Sequence, residues 1–99
     1  MATLRIDLQG GFEADTVEIW LDEELRQRED GVTTNLSVDL ASSVPLVVPD
    51  GPVDVRVALP DRGLEETVEA LVAGDTYVTA RIENGRLLVE QLAEAPYYL

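Results

Sequence analysis

The chain has 99 residues, and 20 aspartates and glutamates against 7 basic residues give it a formal net charge of −13. Every basic residue is an arginine, and histidine, cysteine and lysine do not occur in the sequence. This composition excludes disulfides, thiolate chemistry and the usual ligands of zinc and copper, and it argues against nucleic acid or an anionic membrane as a partner.

Apolar and polar residues alternate with a period of two along most of the chain, which predicts eight or nine short β-strands. The predicted strands cover, in order, residues 4–8, 17–21, 25–28, 32–40, 44–48, 53–59, 64–73, 77–83 and 86–92. Turn residues separate them at Gly10-Gly11, Asp22-Glu23-Glu24, Asp30-Gly31, Ala41-Ser42-Ser43, Pro49–Pro52, Pro60–Gly63, Gly74-Asp75 and Asn84-Gly85.

The most regular alternation lies in the middle of the chain. The residues predicted to face the core from that strand are Val32, Thr34, Leu36, Val38 and Leu40. The short strand that follows contains Pro45, which cannot donate a ladder hydrogen bond and therefore indicates the edge of a sheet.

Residues 64–73 are the best helix candidate, because Leu64, Val68 and Leu71 have helical spacing. The β-branched residues of this segment and its position among strands favour a β-strand instead.

Taken together, the patterns predict an all-β fold. We expect a single domain over residues 1–99, an antiparallel two-sheet β-sandwich with immunoglobulin-like or prealbumin-like topology.

Carboxylates cluster around the second predicted turn. Asp22, Glu23 and Glu24, with Glu29 and Asp30 nearby in the sequence, are oxygen ligands of the kind that Ca²⁺ prefers. Their spacing does not match an EF-hand loop, and adjacent carboxylates in a strand point to opposite faces. We therefore expect a solvated acidic hairpin and predict no metal site, with Ca²⁺ binding as the less favoured alternative.

Catalytic groups are scarce in this sequence. Ser37, Ser42 and Ser43 have no histidine or lysine to act as a base, and no glycine-rich phosphate loop is present. Carboxylate pairs can perform acid–base chemistry, so a carboxylate-based hydrolase stays open as an alternative. The sequence predicts no catalytic residue and no cofactor, and we do not expect an enzyme.

Four residues are candidates for contact with a partner or a ligand. Trp20 is out of phase with the inward residues of its strand, so it is predicted to lie on the polar face with Glu18. There it either covers an open edge of the core or contacts a partner. The apolar end of the sequence, Tyr97, Tyr98 and Leu99, is expected to pack on the domain as a lid or to join a second subunit.

The segment Val48–Val57, with its Pro-x-Gly turn followed by an alternating strand, resembles prealbumin-like domains, which include PEGA and carboxypeptidase regulatory-like modules. The segment Thr16–Leu25 resembles the hairpin that such modules use. The resemblance implies a small non-catalytic β-sandwich attached to a larger protein or a surface. The chain departs from these modules in its apolar end.

The functional expectation is a non-catalytic interaction or accessory domain with a protein partner or a second copy of itself. A small-ligand or carbohydrate-binding module that stacks its ligand on Trp20 and the tyrosines is the alternative from another class. Neither nucleic acid nor a membrane is an expected partner. The first residues lack the basic start and apolar block of a signal peptide, so a cytoplasmic location is expected.

Overall fold

Strands occupy most of the chain, as the alternation predicts. The computed structural model describes residues 2–96, which form β1 (Ala2–Leu8), β2 (Asp15–Leu21), β3 (Glu24–Val32), β4 (Ser42–Val48), β5 (Gly51–Leu59), β6 (Leu64–Val72), β7 (Thr76–Glu83) and β8 (Arg86–Leu92). A three-residue 3-10 turn at Pro60–Arg62 joins β5 to β6. The segment that was open between helix and strand is the strand β6. Residues 2–96 contain no helix long and apolar enough to cross a membrane.

The strands form two four-stranded sheets that pack face to face. The first sheet has the order β4-β1-β7-β8, and the second sheet has the order β3-β2-β5-β6. Neighbouring strands are antiparallel except for β1 and β7, which are parallel. The prediction of an all-β, mainly antiparallel β-sandwich is confirmed. β4, with Pro45 exposed on it, lies at a sheet edge as predicted.

The core lies between the two sheets and is built from the inward half of each alternating strand. Its largest fully buried aliphatic residues are Leu4, Ile6, Leu8, Val17, Ile19, Val55, Val57, Leu59, Val72 and Val78. Burying each such side chain contributes about 1.5–3 kcal/mol of hydrophobic stabilisation. Both sheets therefore have one apolar face that must be covered and one outer face that meets solvent.

Two of the predicted turns form two-residue hairpin loops. Asp22 and Glu23 connect β2 to β3, and Asn84 and Gly85 connect β7 to β8. All four residues have positive φ angles, between 48° and 75°, as the tightest hairpin turns require. The acidic turn and the Asn-Gly hairpin are both confirmed.

The prediction of a strand over residues 32–40 is wrong. Val32 ends β3, and the chain then forms a loop in which only Asn35 and Leu40 make a bridge. Leu36, predicted to face the core, is 90% exposed. The polar residues of the segment explain the difference, because the Asn35 side chain accepts the Ser37 N–H and closes a local turn.

Threonines of the same loop attach it to the β1–β2 connection instead of to a neighbouring strand. Thr34 Oγ1 donates to the Gln9 carbonyl at 2.6 Å and accepts the Phe12 N–H at 3.0 Å. Thr33 Oγ1 accepts the Ala14 N–H at 2.9 Å. The threonine hydroxyls thus form hydrogen bonds with backbone N–H and carbonyl groups that would otherwise pair with a neighbouring strand.

Asp30-Gly31, predicted as a turn, lies inside β3. The pairing between β2 and β3 shifts register between Asp15 and Val17, which leaves an extra residue in β3 opposite Thr16. This irregularity is a β-bulge, and bulges bend the strand that carries them. The same residues that signal a turn in the sequence therefore bend an edge strand here.

An ion pair connects two elements at one end of the sandwich. Arg62 Nε and Nη2 each donate to a carboxylate oxygen of Asp15 at 2.8 Å, and Asp15 is almost fully buried. The hydrogen bond to Asp15 raises the pKa of the Arg62 guanidinium. This two-point contact joins the start of β2 to the 3-10 turn after β5.

The net charge of −13 has a measurable consequence for stability. Carboxylates on the outer surface repel one another, and added salt screens that repulsion over about 10 Å at 0.1 M. We expect the melting temperature to rise by about 5 °C between very low salt and about 0.1 M NaCl at neutral pH. A thermal melt followed by circular dichroism measures it, and a flat or falling trend would contradict the expectation. A much larger response to Ca²⁺ than to matched Mg²⁺ would indicate a specific cation site.

Candidate functional site

Trp20 lies on the outer face of the second sheet, where the sequence places it. It occupies β2, a central strand of that sheet, and is half-buried. Its cross-strand neighbours are Arg56 on β5 and Leu25 on β3, and Leu25 is exposed. We call this outer surface of β3-β2-β5-β6 around Trp20 the Trp20 face.

Arg56 covers the tryptophan ring. Its guanidinium carbon lies 4.6 Å from the centroid of the Trp20 ring, which is the geometry of a cation–π contact. Arg56 makes no ion pair with the described residues, and its buried Nε–H donates no hydrogen bond to any of them. Stacking on Trp20 is therefore the contact that holds this guanidinium in place.

Carboxylates border the central pair. The register of the second sheet puts Glu18, Asp54, Glu65 and Glu69 on the Trp20 face, against the two arginines Arg28 and Arg56. A small cleft of about 80 Å³ lies beside Arg56, between Glu23, Asp54 and Thr67. The face thus has a centre formed by Trp20, Arg56 and Leu25, with a net negative border.

The outer face of the first sheet is organised differently. Asp7 on β1 is only 1% exposed although it points away from the core, and Arg5 holds it through two hydrogen bonds of 3.0 and 3.1 Å. Ser43 Oγ on β4 donates to the same carboxylate at 2.7 Å. The Arg5 guanidinium also lies 5.0 Å from the ring centroid of Tyr77. These polar groups bind each other across three strands, so this face has a structural role.

A cleft of about 180 Å³ opens at the end of the sandwich, where the β2–β3 and β4–β5 turns meet. Two of its carboxylates, Asp22 and Asp50, are exposed and bind backbone groups of the turns. Asp22 accepts the Asp54 N–H at 2.9 Å, and Asp50 accepts the Gly74 N–H at 3.2 Å. These two carboxylates therefore act as acceptors for backbone N–H groups.

The structure does not bring the candidate Ca²⁺ ligands together. Glu23 is in the hairpin turn, whereas Glu29 lies about 20 Å further along β3 at 3.3 Å per residue. Glu29 accepts a hydrogen bond from Ser42 Oγ at 2.7 Å and so links the edges of the two sheets. Within the described part of the chain, no group of three acidic residues has the geometry to hold a metal ion.

The other candidate contact residues have different outcomes. Tyr97, Tyr98 and Leu99 lie outside the described residues. Trp20 and Tyr77 lie on the outer faces of different sheets, so they do not form one stacking platform. Sequence reasoning missed Arg56, because alternation places it on an outer face but does not show which residue stands opposite it.

In comparisons with known proteins, no family model, no curated protein and no solved structure matches this chain. The geometry of the outer faces is therefore the basis for any functional conclusion.

Proposed function

We propose that this chain is a non-catalytic interaction domain that binds a basic protein segment on the Trp20 face. The observation that carries the proposal is the Trp20–Arg56 stack at the centre of an open sheet face. Tryptophan and arginine are the residue types most enriched at the energetic centres of protein interfaces. Here they stand together beside the exposed Leu25, in the middle of the sheet and away from its edges.

The charge of the surrounding surface identifies the class of partner. Glu18, Asp54, Glu65 and Glu69 give the border of this face a negative potential, and the whole chain carries −13. A segment with lysine or arginine beside an apolar side chain is complementary to that pattern. A second copy of the chain would instead bring like charges together on this face, which is why we do not assign the homodimer to it.

A relation to prealbumin-like accessory modules fits the same role and is part of the proposal. What supports it is that β1 and β2 lie in different sheets, unlike the first two strands of an immunoglobulin constant domain. The alternating strand β5 also follows directly on the Pro49-Asp50 turn.

The experiment uses Trp20 as its own reporter, since it is the single tryptophan of the chain. Short synthetic peptides with a common leucine-rich centre are titrated in two forms, one flanked by lysine and arginine and one by aspartate and glutamate. We expect only the basic-flanked peptides to bind and to shift the emission of Trp20. Binding should weaken as NaCl is raised, because charge attraction across the border is screened.

Substitutions test whether the face itself is responsible. Trp20→Ala should weaken binding of the basic-flanked peptides by about 30-fold in calorimetry, the effect typical of a central interface residue. Val47→Ala is the matched control, because Val47 is an apolar side chain, 59% exposed, on the other sheet, and its loss should leave binding unchanged. Equal binding of both peptide forms, or equal effects of the two substitutions, would contradict the proposal.

A further inference from the structure

Four side chains form a row across the second sheet at the centre of the Trp20 face. Leu25 on β3 stands opposite Trp20 on β2. Arg56 on β5 stands opposite Trp20 on one side and opposite Thr67 on β6 on the other. The row is therefore apolar toward β3 and polar toward β6, and the guanidinium of Arg56 lies where the two halves meet.

The polar half of the row opens into the cleft of about 80 Å³ beside Arg56. The other residues that line it are Glu23 in the β2–β3 turn, Asp54 on β5 and Thr67 on β6. A benzene ring occupies a cavity of about 150 Å³, whereas one water molecule needs much less than 80 Å³. The cleft therefore fits a small polar group of a few atoms and excludes an aromatic ring.

The polar side chains of this cleft do not bind one another. Arg56 makes no hydrogen bond and no ion pair with residues 2–96, and the same holds for the side chains of Glu23, Asp54 and Thr67. By contrast, Arg81 on the other sheet binds two carboxylates, at 2.9 and 3.2 Å. Within the described chain, the Arg56 Nε is also the one buried side-chain nitrogen or oxygen without a partner. Unused hydrogen-bonding capacity is therefore concentrated at this cleft.

A primary carboxamide has the hydrogen-bonding groups that complement the cleft. Its oxygen accepts hydrogen bonds, which a guanidinium donates, and its NH₂ group donates two, which carboxylates accept. A carboxylate in this place has nothing to donate and would repel Glu23 and Asp54. An ammonium group has nothing to accept with, so it would leave the donors of Arg56 unpaired and desolvated. A hydroxyl group donates only once, whereas two carboxylates line the cleft.

We propose that the segment bound on the Trp20 face places a glutamine or asparagine side chain in this cleft, beside an apolar side chain that lies on Trp20. This assignment, which rests on the proposed function, gives the same face a second recognition position. The carboxamide oxygen accepts from the Arg56 guanidinium, and the carboxamide nitrogen donates to Asp54 and Glu23. The negative border attracts the basic residues of the segment, and the cleft specifies the carboxamide.

The geometry of the sheet gives the spacing of the two recognition positions. Neighbouring strands lie about 4.8 Å apart, and the cleft has lining residues on β5 and β6. Its centre is therefore about one and a half strand spacings, or about 7 Å, from Trp20 on β2. In an extended segment, residues i and i+2 lie on one face and are also about 7 Å apart. The expected pattern is an apolar residue and a carboxamide residue with one residue between them, flanked by basic residues.

Three basic-flanked peptides test the proposal on the intact chain, by Trp20 fluorescence and calorimetry. Each peptide has a central leucine and carries the same residue two positions before and two positions after it, so the direction of binding does not matter. That residue is glutamine in the first peptide, methionine of similar length in the second and glutamate in the third. We expect the glutamine peptide to bind about 10-fold more tightly than either of the others, because only the carboxamide pairs with both the cation and the anions.

Two substitutions with the same loss of charge separate the cleft from the general attraction of the border. Asp54→Ala removes a carboxylate that lines the cleft, whereas Glu65→Ala removes one from the border outside it. Both side chains are exposed and make no hydrogen bond within residues 2–96, so neither change should disturb the fold. Both variants should bind all three peptides more weakly. Only Asp54→Ala should also reduce the preference for glutamine, to about 2-fold.

The possible outcomes distinguish the carboxamide position from the binding face itself. Equal binding of the glutamine and methionine peptides would overturn the carboxamide position and leave the Trp20 face as a binding surface. Tighter binding of the glutamate peptide would overturn it as well, because Arg56 would then take a carboxylate. A glutamine preference that Asp54→Ala and Glu65→Ala reduce equally would also contradict it, since its origin would lie outside the cleft. If none of the basic-flanked peptides binds, the proposed function fails together with it.

Discussion

Replacing Asp7 with alanine is expected to lower the free energy of unfolding by about 3 kcal/mol, or about 12–24 °C in melting temperature for a chain of this length. The Asp7 carboxylate is 1% exposed and accepts hydrogen bonds from Arg5 and Ser43. Its removal leaves the Arg5 guanidinium and the Ser43 hydroxyl beside a space without their acceptor. Asp7 is the buried member of this pair and Arg5 is 34% exposed, so the expected loss lies at the lower end of the range for buried ion pairs and well above that for a surface pair.

The chain provides a matched control for this prediction. Arg28 and Asp30 on β3 form the same Arg-x-Asp pair, with a distance of 3.5 Å and with Asp30 72% exposed. Asp30→Ala should change the free energy of unfolding by no more than about 0.5 kcal/mol, because exposed ion pairs contribute little. Urea unfolding of both variants measures the contrast. Equal effects of the two substitutions would show that burial of Asp7 does not decide the outcome.

Gly11→Ala is expected to be the second large destabilisation, by about 2–4 kcal/mol. Gly11 has a φ of 90°, and a Cβ built on it would lie 2.4 Å from the Ile82 carbonyl oxygen. That oxygen belongs to the backbone of β7, so it cannot move aside as a flexible side chain would. The chain around Gly11 would have to shift, and the hydrogen bond from the Ile82 N–H to the Gly10 carbonyl, 2.9 Å long, would be strained or lost.

Gly74→Ala separates the backbone penalty of a positive φ from the steric contact with Ile82. Gly74 also has a positive φ, 65°, but no atom lies within 4 Å of a Cβ placed there. Its substitution should therefore show only the backbone penalty, about 1–2 kcal/mol. A Gly11→Ala variant no less stable than Gly74→Ala in urea unfolding would indicate that the contact with Ile82 is relieved without cost.

Much of the fold could be predicted from local patterns. Leu4, Ile6 and Leu8 are buried in β1 because successive side chains of a strand point to opposite faces, and this rule needs no knowledge of neighbours. The loops Asp22-Glu23 and Asn84-Gly85 could be recognised because their residue types favour turns. The position of Trp20 on an outer face follows from the same alternation.

Other features depend on contacts between residues far apart in the chain. Residues 32–40 alternate as well as any strand, yet Thr34 binds the 9–12 segment and Leu36 faces solvent. Hydrogen bonds from side chains to distant backbone groups compete with strand pairing, and periodicity carries no information about them. The residue opposite Trp20 could not be predicted from the sequence for a related reason, because the register between strands decides which residues are cross-strand neighbours.

The sequence by itself determined that the chain forms short strands with one apolar face each, because strand geometry has a fixed period and these residues follow it. Only the tertiary structure decided which of two identical Arg-x-Asp patterns is buried, that Arg56 stacks on Trp20, and that β6 and β8 lie at sheet edges. The physical reason is that alternation is a property of one strand, whereas burial, register and edge position are properties of the assembled sheets.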